Sequence, residues 1–529
     1  MPETAAQWAQ GAQLFEGLGD FHRAVTTSSP EAQKYFDQGM RWLWAFNHDE
    51  ATRSFAKAAQ LDSNCAMCWW GLALTVGPNY NMPFMVASRA KVAFEAEQRA
   101  QQAVAHAAPV EQALIAALAR RYPNAQPLDP SNEGPVLGAY AQAMKDVAQR
   151  FPDDLDVQTL YAEALMNVNA WKLWTLDGKP ALGTEEIVTT LEEVLAKDPL
   201  HPGANHYYIH AVEASPHPER ALASAERLRD MMPAAGHLDH MPAHIFQRVG
   251  RYEDAAQANR NGAAADFAYY ARTRPLDYYV MYTAHNEQFL AFSAAMEGRR
   301  AETLAAAQKA RALIPDDMLL AMPGSDWLLG LGYAAKLRFG LWDEMNAEPA
   351  PNPKLPGLTG VWLYARAVAL AAEGRIDEAR AATAQLEKLA ADTPADAGAG
   401  QNTLRDMLAI ALFVAKARIA DAEHKTDESV ALLTQAVAAE DQTAYDEPED
   451  WFFPTRHLLG AELLKAARPQ AAEAVYRADL ERHPANGWAL YGLAQALKAQ
   501  RKDAEAAEAE RQFRRSWQHA DTELTASAF

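Results

Sequence analysis

Seven of the fifteen histidines in this 529-residue chain fall between His201 and His244, at spacings that suit metal chemistry. His206 and His210 are four residues apart in the segment NHYYIHAVEAS, so on a helix both rings would project from one face. Glu213 follows His210 by three residues and extends that face. A His-x3-His pair with a nearby carboxylate is a common helical ligand set for zinc or iron.

A second cluster, His237, His240 and His244, follows in the segment GHLDHMPAHIF. Pro242 favours a helix that begins near Met241, because proline is tolerated in a first helical turn. His240 and His244 would then lie near a helix N-terminus. The partial positive charge there disfavours protonated imidazole and suits a neutral metal ligand.

A helix predicted over Pro218 to Met231 separates the two clusters. In a stack of helical hairpins the clusters would lie on alternate helices that run in the same direction, and both could face one concave surface. His285 is a third contributor, since it lies in an aromatic stripe with Tyr282 and Phe289 that should point inwards. The predicted metal ligands are His206, His210, His240, His244 and His285.

Carboxylates and loop residues complete this candidate site. Glu213 and Glu163 are the predicted carboxylate ligands or general bases, and Glu163 qualifies only if its face of the segment TLYAEALMNVNAW is not a solvated one. Three long connections rich in aromatic residues should carry pocket walls. The predicted pocket residues are Asn79, Asn81, His237, Trp451 and His457. Either histidine pair alone is more typical of rings that cap a helix, stack on tyrosine or bind a peptide carboxylate than of a metal site. The metal interpretation depends on the two clusters together.

Composition narrows the function classes. The net charge is -20 and no basic run interrupts it, which argues against nucleic-acid binding. No segment approaches the ~18 consecutive apolar residues of a membrane helix, and the first residues lack the pattern of an export signal. We expect a cytoplasmic protein, or a periplasmic one if a signal has been removed. Motifs for nucleotide binding and serine hydrolysis are missing from the sequence.

Two cysteines, Cys65 and Cys68, form a Cys-x2-Cys motif. That spacing can be redox-active or can supply half of a zinc site. Here it falls in the first helix of a predicted repeat, where small residues are needed for packing, and there is no second cysteine pair. Packing is therefore the predicted role.

Helical periodicity runs through the whole chain, and one phrase recurs: a glycine or other short turn, a few polar residues, then alanine in a new helix. The phrase occurs as FNHDEATRSFAKAA, GRYEDAAQANRNGAA, GRIDEARAATAQLEKL, ARPQAAEAVYRADLERHP and QRKDAEAAEAERQF. Trp488, Tyr491 and Gly492 fit the accompanying first-helix pattern. These segments resemble tetratricopeptide repeats, whose helix-turn-helix unit has 34 residues. The resemblance implies an all-α fold, a right-handed α-solenoid with long inserted loops.

Within one continuous solenoid we expect N-terminal repeats over 1–200, histidine-rich central repeats over 201–300 and C-terminal repeats over 301–529. Several segments, among them FDQGM, GPNYN, NHYYIHAVEAS and HMPAHIF, resemble a group of bacterial tetratricopeptide-repeat proteins of unassigned activity. That resemblance implies the fold and adds no chemistry.

Three functions follow as hypotheses. The first is a metal-dependent enzyme that activates water to hydrolyse a small, partly aromatic substrate, with zinc as the first choice of metal and iron or copper as alternatives, the latter suited to oxidative chemistry. The second is a scaffold that binds a peptide or protein partner in its groove. The third is metal carriage without catalysis. None involves nucleic acid or membrane, and the sequence leaves the oligomeric state open.

Overall fold

The structure is a computed structural model that describes residues 2–83, 85, 87–129, 131–273 and 279–529. By its internal contacts the chain divides into two compact units. The first unit comprises Met1–Ile245 and Asn261–Tyr279, and the second comprises Phe246–Arg260 and Val280–Phe529. The boundaries expected near residues 200 and 300 rest on sequence features and stay a prediction.

The first unit is built from α-helices. They are α1 Ala5–Trp8, α2 Pro30–Trp44, α3 His48–Leu61, α4 Ala66–Val76, α5 Ala87–Ala103, α6 Pro109–Leu118, α7 Glu133–Arg150, α8 Leu155–Met166, α9 Thr184–Lys197, α10 Pro202–Val212, α11 Leu222–Leu228 and α12 Gly236–His240. Short 3-10 helices occur at Val104–His106, Asn167–Asn169 and Pro218–Ala221. Two further helices, α13 Pro242–Arg248 and α14 Tyr252–Arg272, contribute residues to both units.

The second unit is helical as well. Its helices are α15 Val280–Met296, α16 Arg300–Leu313, α17 Asp316–Ala321, α18 Leu331–Arg338, α19 Trp342–Asn346, α20 Pro356–Ala372, α21 Ile376–Asp392, α22 Leu404–Ala422, α23 Thr426–Glu440, α24 Thr455–Lys465, α25 Pro469–Arg482, α26 Gly487–Ala499 and α27 Asp503–Ser516, with a 3-10 helix at Leu328–Gly330. Two short strands, β1 Gly398–Ala399 and β2 Asn402–Thr403, pair antiparallel. The all-α prediction is confirmed.

The recurring phrase of the sequence forms the turn of a helical hairpin. In eight hairpins of the described residues, a residue with positive φ stands two positions before the second helix and reverses the chain in a left-handed conformation. Glycine adopts this conformation without steric cost, whereas other residues are strained by it. The eight residues are Phe46, Gly250, Gly298, Gly340, Gly374, His424, Ala467 and Arg501.

An aromatic ring between two glycines joins successive helices. A Cβ atom on Gly39 of α2 would lie 2.6 Å from the ring of Phe55 on α3, and one on Gly71 of α4 would overlap the same ring. In the second unit Tyr476 of α25 stands in this relation to Gly460 and Gly492. In each case the glycines flank the aromatic residue at equal distances along the chain. This packing explains the small-residue pattern and supports a tetratricopeptide-like repeat.

Cys65 and Cys68 are both buried, but a disulfide joins them, a bond that the packing interpretation did not include. Cys65 is the N-cap of α4, and its Sγ accepts a hydrogen bond from the backbone N–H of Cys68. The first helical turn brings the two Cα atoms to 5.3 Å, within the range of a disulfide.

Of the helices that the structure describes, none combines the length and the apolar character needed to cross a membrane.

Candidate metal centre

Helix α10 carries the first histidine pair, and its start is fixed by polar contacts and close packing. His201 is its N-cap: the ring Nδ1 accepts from the backbone N–H of Ala204, and Nε2 lies 3.0 Å from Asp156. Gly203 packs so closely on the ring of Trp44 that a Cβ atom would overlap it. His201 thus serves a local role, as does the exposed His217, which pairs with a glutamate on the surface.

His206 projects from α10 towards the end of helix α2. Its Nδ1 lies 2.5 Å from the carbonyl oxygen of Trp44. A carbonyl can only accept, so Nδ1 carries the proton and Nε2 carries a lone pair. That Nε2 atom is buried and has no hydrogen-bond partner among the described residues.

His210, one turn further along α10, has a similar arrangement. Its Nδ1 lies 3.0 Å from Glu213 Oε1, so as a carboxylate Glu213 accepts the Nδ1 proton. The buried Nε2 of His210 again finds no hydrogen-bond partner in the described part of the chain. Two neighbouring rings, with centroids 5.0 Å apart, therefore each present a lone pair without a donor.

Glu213 extends this contact to the second cluster. Its Oε2 lies 2.6 Å from His244 Nδ1, and His244 Nε2 lies 2.7 Å from His240 Nε2. A buried chain of polar groups thus runs from His210 through Glu213 and His244 to His240. The two clusters, far apart in sequence, lie together in the first unit.

His237 of α12 completes a group of three imidazoles. One ring nitrogen each from His206, His210 and His237 lie within 4.8 Å of one another. The ring of His237 is 5.0 Å from that of His206 by centroids, and its Nε2 lies 3.4 Å from Asn81 Nδ2. His210, Glu213 and His244 form a second such group, but there the short N···O contacts are hydrogen bonds.

Phe46, the left-handed turn residue between α2 and α3, packs against all three imidazoles. Its ring centroid is 4.5 Å from that of His206, 5.8 Å from that of His210 and 5.8 Å from that of His237. Tyr80 and Trp171 contact His210 from other directions. The nitrogen lone pairs therefore lie in an aromatic environment.

The five clustered rings are 0–3 % exposed. Burial lowers the pKa of His206, His210 and His237 well below that of an exposed histidine, and neighbouring histidines lower it further. Neutral imidazole is the form that binds a metal ion, so no proton has to be displaced at neutral pH.

The helices around the clusters differ from the predicted ones. The helix expected over Pro218 to Met231 is a 3-10 turn at Pro218–Ala221 followed by a shorter α-helix, Leu222–Leu228. His240 lies just before α13 and His244 lies inside it, both as expected, but His240 also ends the short helix α12, which was not foreseen. Pro242 is the first residue of α13, which agrees with its tolerance in a first turn.

The remaining predicted residues lie on other elements. His285 is on α15 of the second unit, with its ring edge-on to Phe289. Glu163 on α8 hydrogen-bonds Asn167 and interacts electrostatically with Arg121. Asn79 shapes the loop before α5, since its Oδ1 accepts from the backbone N–H groups of Asn81 and Met82.

Two predicted pocket residues belong to the second unit. Trp451 lines a small cavity together with Tyr364 and Phe452. His457 is fully buried between a cation and an anion: its Nδ1 accepts from Arg338, and its Nε2 donates to Asp479. Burial lowers the pKa of His457 to about 4, so this ring is neutral.

Sequence reasoning missed Trp44 and Phe46 as residues of the histidine centre. Phe46 had a detectable signal, because an aromatic residue stands in a turn position where four of the other seven hairpins carry glycine. Trp44 had none, since its backbone carbonyl makes the contact and the side-chain type does not matter for it.

Comparison with known proteins adds little. No family model matches the chain, and no curated protein matches it. A solved structure of a human IFIT1 dimer with PPP-AAAA is 13 % identical over 97 % of this chain and 99 % of that one, with a TM-score of 0.35. A human IFIT1 dimer with m7Gppp-AAAA is 12 % identical over 93 % of this chain and 91 % of that one, with a TM-score of 0.32. The structure of Naa15/Naa10 bound to HypK-THB is 16 % identical over 92 % of this chain and 70 % of that one, with a TM-score of 0.22.

Proposed function

We propose that the protein is a metal-dependent enzyme whose metal ion is held by His206, His210 and His237. The observation that carries this proposal is the pair of buried Nε2 lone pairs on His206 and His210. An acceptor that is buried without a donor costs free energy, and a metal ion would satisfy both at once. The third nitrogen, from His237, lies within the same 4.8 Å group.

The ligand chemistry favours zinc, with iron or copper as alternatives. Imidazole nitrogen suits these ions, whereas magnesium and calcium prefer oxygen ligands. Both Nδ1 contacts match the surroundings that metal-bound histidines usually have, namely a backbone carbonyl for His206 and a carboxylate for His210. In this proposal Glu213 is a positioning residue that holds the rings of His210 and His244.

Three histidine ligands leave a position for water on a four-coordinate ion, which is the arrangement of catalytic zinc sites. Bound there, zinc would act as a Lewis acid and activate water for hydrolysis. The aromatic rings of Phe46, Tyr80 and Trp171 suit a small, partly aromatic substrate. We therefore assign the protein to the metal-dependent hydrolases.

Metal carriage without catalysis is the second candidate. The observation in its favour is the burial of the rings, since His206 is 0 % and His210 2 % exposed. A scaffold that binds a peptide through its helical hairpins is the third candidate, and it requires no metal.

Elemental analysis of protein purified without a histidine tag tests the proposal. We expect near-stoichiometric zinc, iron or copper in the wild type, and its loss in His206→Ala and His237→Ala. His217→Ala, which removes an exposed ring, is the matched control and should keep its metal. Circular dichroism on each variant separates loss of metal from loss of fold.

Assays of hydrolytic activity then distinguish the three candidate functions. Hydrolysis of an ester, amide or phosphoester substrate that disappears on chelation and returns with added metal would support the enzyme. Bound metal without turnover of any substrate would favour carriage. Folded protein that lacks metal and takes up no added zinc, iron or copper would exclude both and leave the scaffold.

A further inference from the structure

A second cluster of buried polar groups lies in the first unit around Arg121. This side chain is 1 % exposed, and its guanidinium faces the rings of Tyr140 and Tyr122, 5.4 and 5.9 Å from their centroids. One nitrogen, Nη2, donates to the carbonyl of Pro78. Nε and Nη1 have no hydrogen-bond partner in the described residues. A buried cation with unsatisfied donors is costly, so an acceptor is required here.

Hydrogen-bond acceptors are supplied by Glu163 on the last turn of α8 and by Asn167, the C-cap of that helix. The amide Nδ2 of Asn167 donates to Oε1 of Glu163 at 2.5 Å. Glu163 Oε2 and Asn167 Oδ1 are buried and lack a donor in the described structure. Burial raises the pKa of Glu163, while the charge of Arg121 acts in the opposite direction, which indicates that the two side chains are close.

Three tyrosine hydroxyls complete the cluster. The hydroxyls of Tyr122, Tyr140 and Tyr207 are buried, and the described residues offer none of them a hydrogen-bond partner. Burial raises the pKa of all three, so they stay protonated and can donate as well as accept. Gly77 is required beside them, because a Cβ atom there would overlap the hydroxyl of Tyr122.

We propose that this cluster binds a small zwitterion of the α-amino acid class. Its carboxylate would meet the free guanidinium nitrogens of Arg121 and the hydroxyls of Tyr122 and Tyr140. Its ammonium group would donate to Glu163 Oε2 and Asn167 Oδ1. A ligand with only one charge would leave either the cation or the carboxylate of this buried pair unmatched, whereas a zwitterion matches both.

This inference does not rest on the metal centre, although the two clusters adjoin. The ring of Tyr207 is 5.3 Å by centroids from the ring of His206. If both sites are occupied, a substrate that contains an amino acid would have its charged end anchored beside the imidazoles. The zwitterion site would nevertheless fill in protein that holds no metal.

Isothermal titration calorimetry on the full-length, chelator-treated protein tests the proposal. The probes are L-alanine, L-leucine and L-phenylalanine, each with its two single-charge analogues: the carboxylic acid without the amine and the amine without the carboxylate. We expect at least one amino acid to bind saturably and both of its analogues to bind more weakly. Glu163→Gln and Arg121→Met should each weaken binding roughly tenfold to a hundredfold, the usual effect of losing a charged hydrogen bond.

Two further variants keep the result interpretable. Arg120→Met removes an exposed arginine next to Arg121 and should bind as the wild type does. Tyr122→Phe deletes one hydroxyl without changing shape or charge and should weaken binding several-fold. This variant therefore still tests the proposal if Arg121→Met fails to fold. Heat changes indistinguishable from buffer for every amino acid would overturn the proposal and assign the cluster to buried water. Binding of a carboxylic acid alone that Glu163→Gln leaves unchanged would also overturn it, because it would define a simple anion site.

Discussion

The ring of Phe46 lies 4.5 Å from that of His206 by centroids, although Phe46 occupies a left-handed turn with φ of 51°. A left-handed conformation costs a residue other than glycine about 1–2 kcal/mol. Four of the eight equivalent turns have glycine and avoid this cost. Phe46 thus has a strained backbone, and its phenyl ring covers the three imidazoles of the candidate centre.

Two substitutions of Phe46 separate the contribution of its buried ring from the cost of its strained backbone. Phe46→Ala removes the buried ring and keeps the strain, so we expect a loss of about 3–5 kcal/mol in the free energy of unfolding. Phe46→Gly loses the same ring but relieves the backbone, and should be the more stable variant by about 1 kcal/mol. Urea unfolding of both measures the difference. A glycine variant no more stable than the alanine variant would show that the turn carries no strain.

Ala467 occupies the equivalent position in another turn, and its side chain takes no part in the histidine centre. It has φ of 55° and is exposed, so Ala467→Gly should raise the free energy of unfolding by about 1 kcal/mol. Its neighbour Ala466 has φ of -76°, where glycine gives no relief. Ala466→Gly should therefore be neutral or destabilising under the same urea titration, and equal effects at the two positions would contradict the prediction.

Glu213 accepts from two imidazoles, and glutamine cannot replace it in both contacts. In Glu213→Gln the side-chain NH₂ would face one of the two Nδ1–H groups, so either His210 or His244 loses its orientation. We expect zinc affinity to fall roughly tenfold to a hundredfold, as for other outer partners of metal ligands. Competition with a chromophoric chelator measures this. Glu219→Gln, which changes an exposed carboxylate, is the control, and equal affinity in the two variants would remove the assigned role.

Gly71 tests the packing of successive repeats. In Gly71→Ala the methyl group would overlap the ring of Phe55, so we expect a loss of about 1–3 kcal/mol in the free energy of unfolding. Gly138 lies inside helix α7, and beyond its chain neighbours and the backbone of its own helix no atom lies within 4 Å of a Cβ position. Gly138→Ala should instead stabilise by about 0.5–1 kcal/mol. Thermal and urea unfolding compare the two, and a harmless Gly71→Ala would show that the ring can move aside.

His483 in the second unit predicts a dependence on pH. Burial would lower its pKa, but Glu449 at 3.0 Å and Asp479 at 3.3 Å outweigh burial and raise the pKa to about 10. A histidine whose folded pKa exceeds the unfolded value of 6.5 stabilises the fold fully below pH 6.5. That contribution disappears as the pH rises through about 10.

The variant His483→Gln should therefore lose most stability near pH 6.5 and approach the wild type near pH 10. Free energies of unfolding from urea titrations at several pH values provide the test. His519→Gln, at an exposed position, should track the wild type throughout. A difference between wild type and His483→Gln that stays constant with pH would mean that His483 is not charged in the fold.

The sequence predicted the helical hairpins well because their determinants are local. The turn residue, the following polar residues and the alanine in the first turn of most second helices lie within a few positions of one another. The ends of the helices were harder: α11 stops at Leu228, although the pattern continued to Met231. Helix ends depend on tertiary contacts, which a local pattern does not contain.

The histidine site shows the same limit. The pair His206 and His210 and its relation to Glu213 follow from helical spacing alone. The carbonyl of Trp44, 162 residues from His206 in sequence, could not be foreseen, because a backbone acceptor leaves no mark on residue type. Nor did spacing indicate which histidine of the second cluster would join the first pair.

Phe55 belongs to two hairpins at once, since its ring fills the space left by Gly39 within one and by Gly71 in the next. Unfolding either hairpin exposes a surface of the other. The free energy of unfolding of each hairpin therefore includes a contribution from its interface with the next one. Adjacent repeats should therefore melt together as one cooperative block, and damage at one repeat should spread to its neighbours. Tyr476 imposes the same coupling on the hairpins around α25.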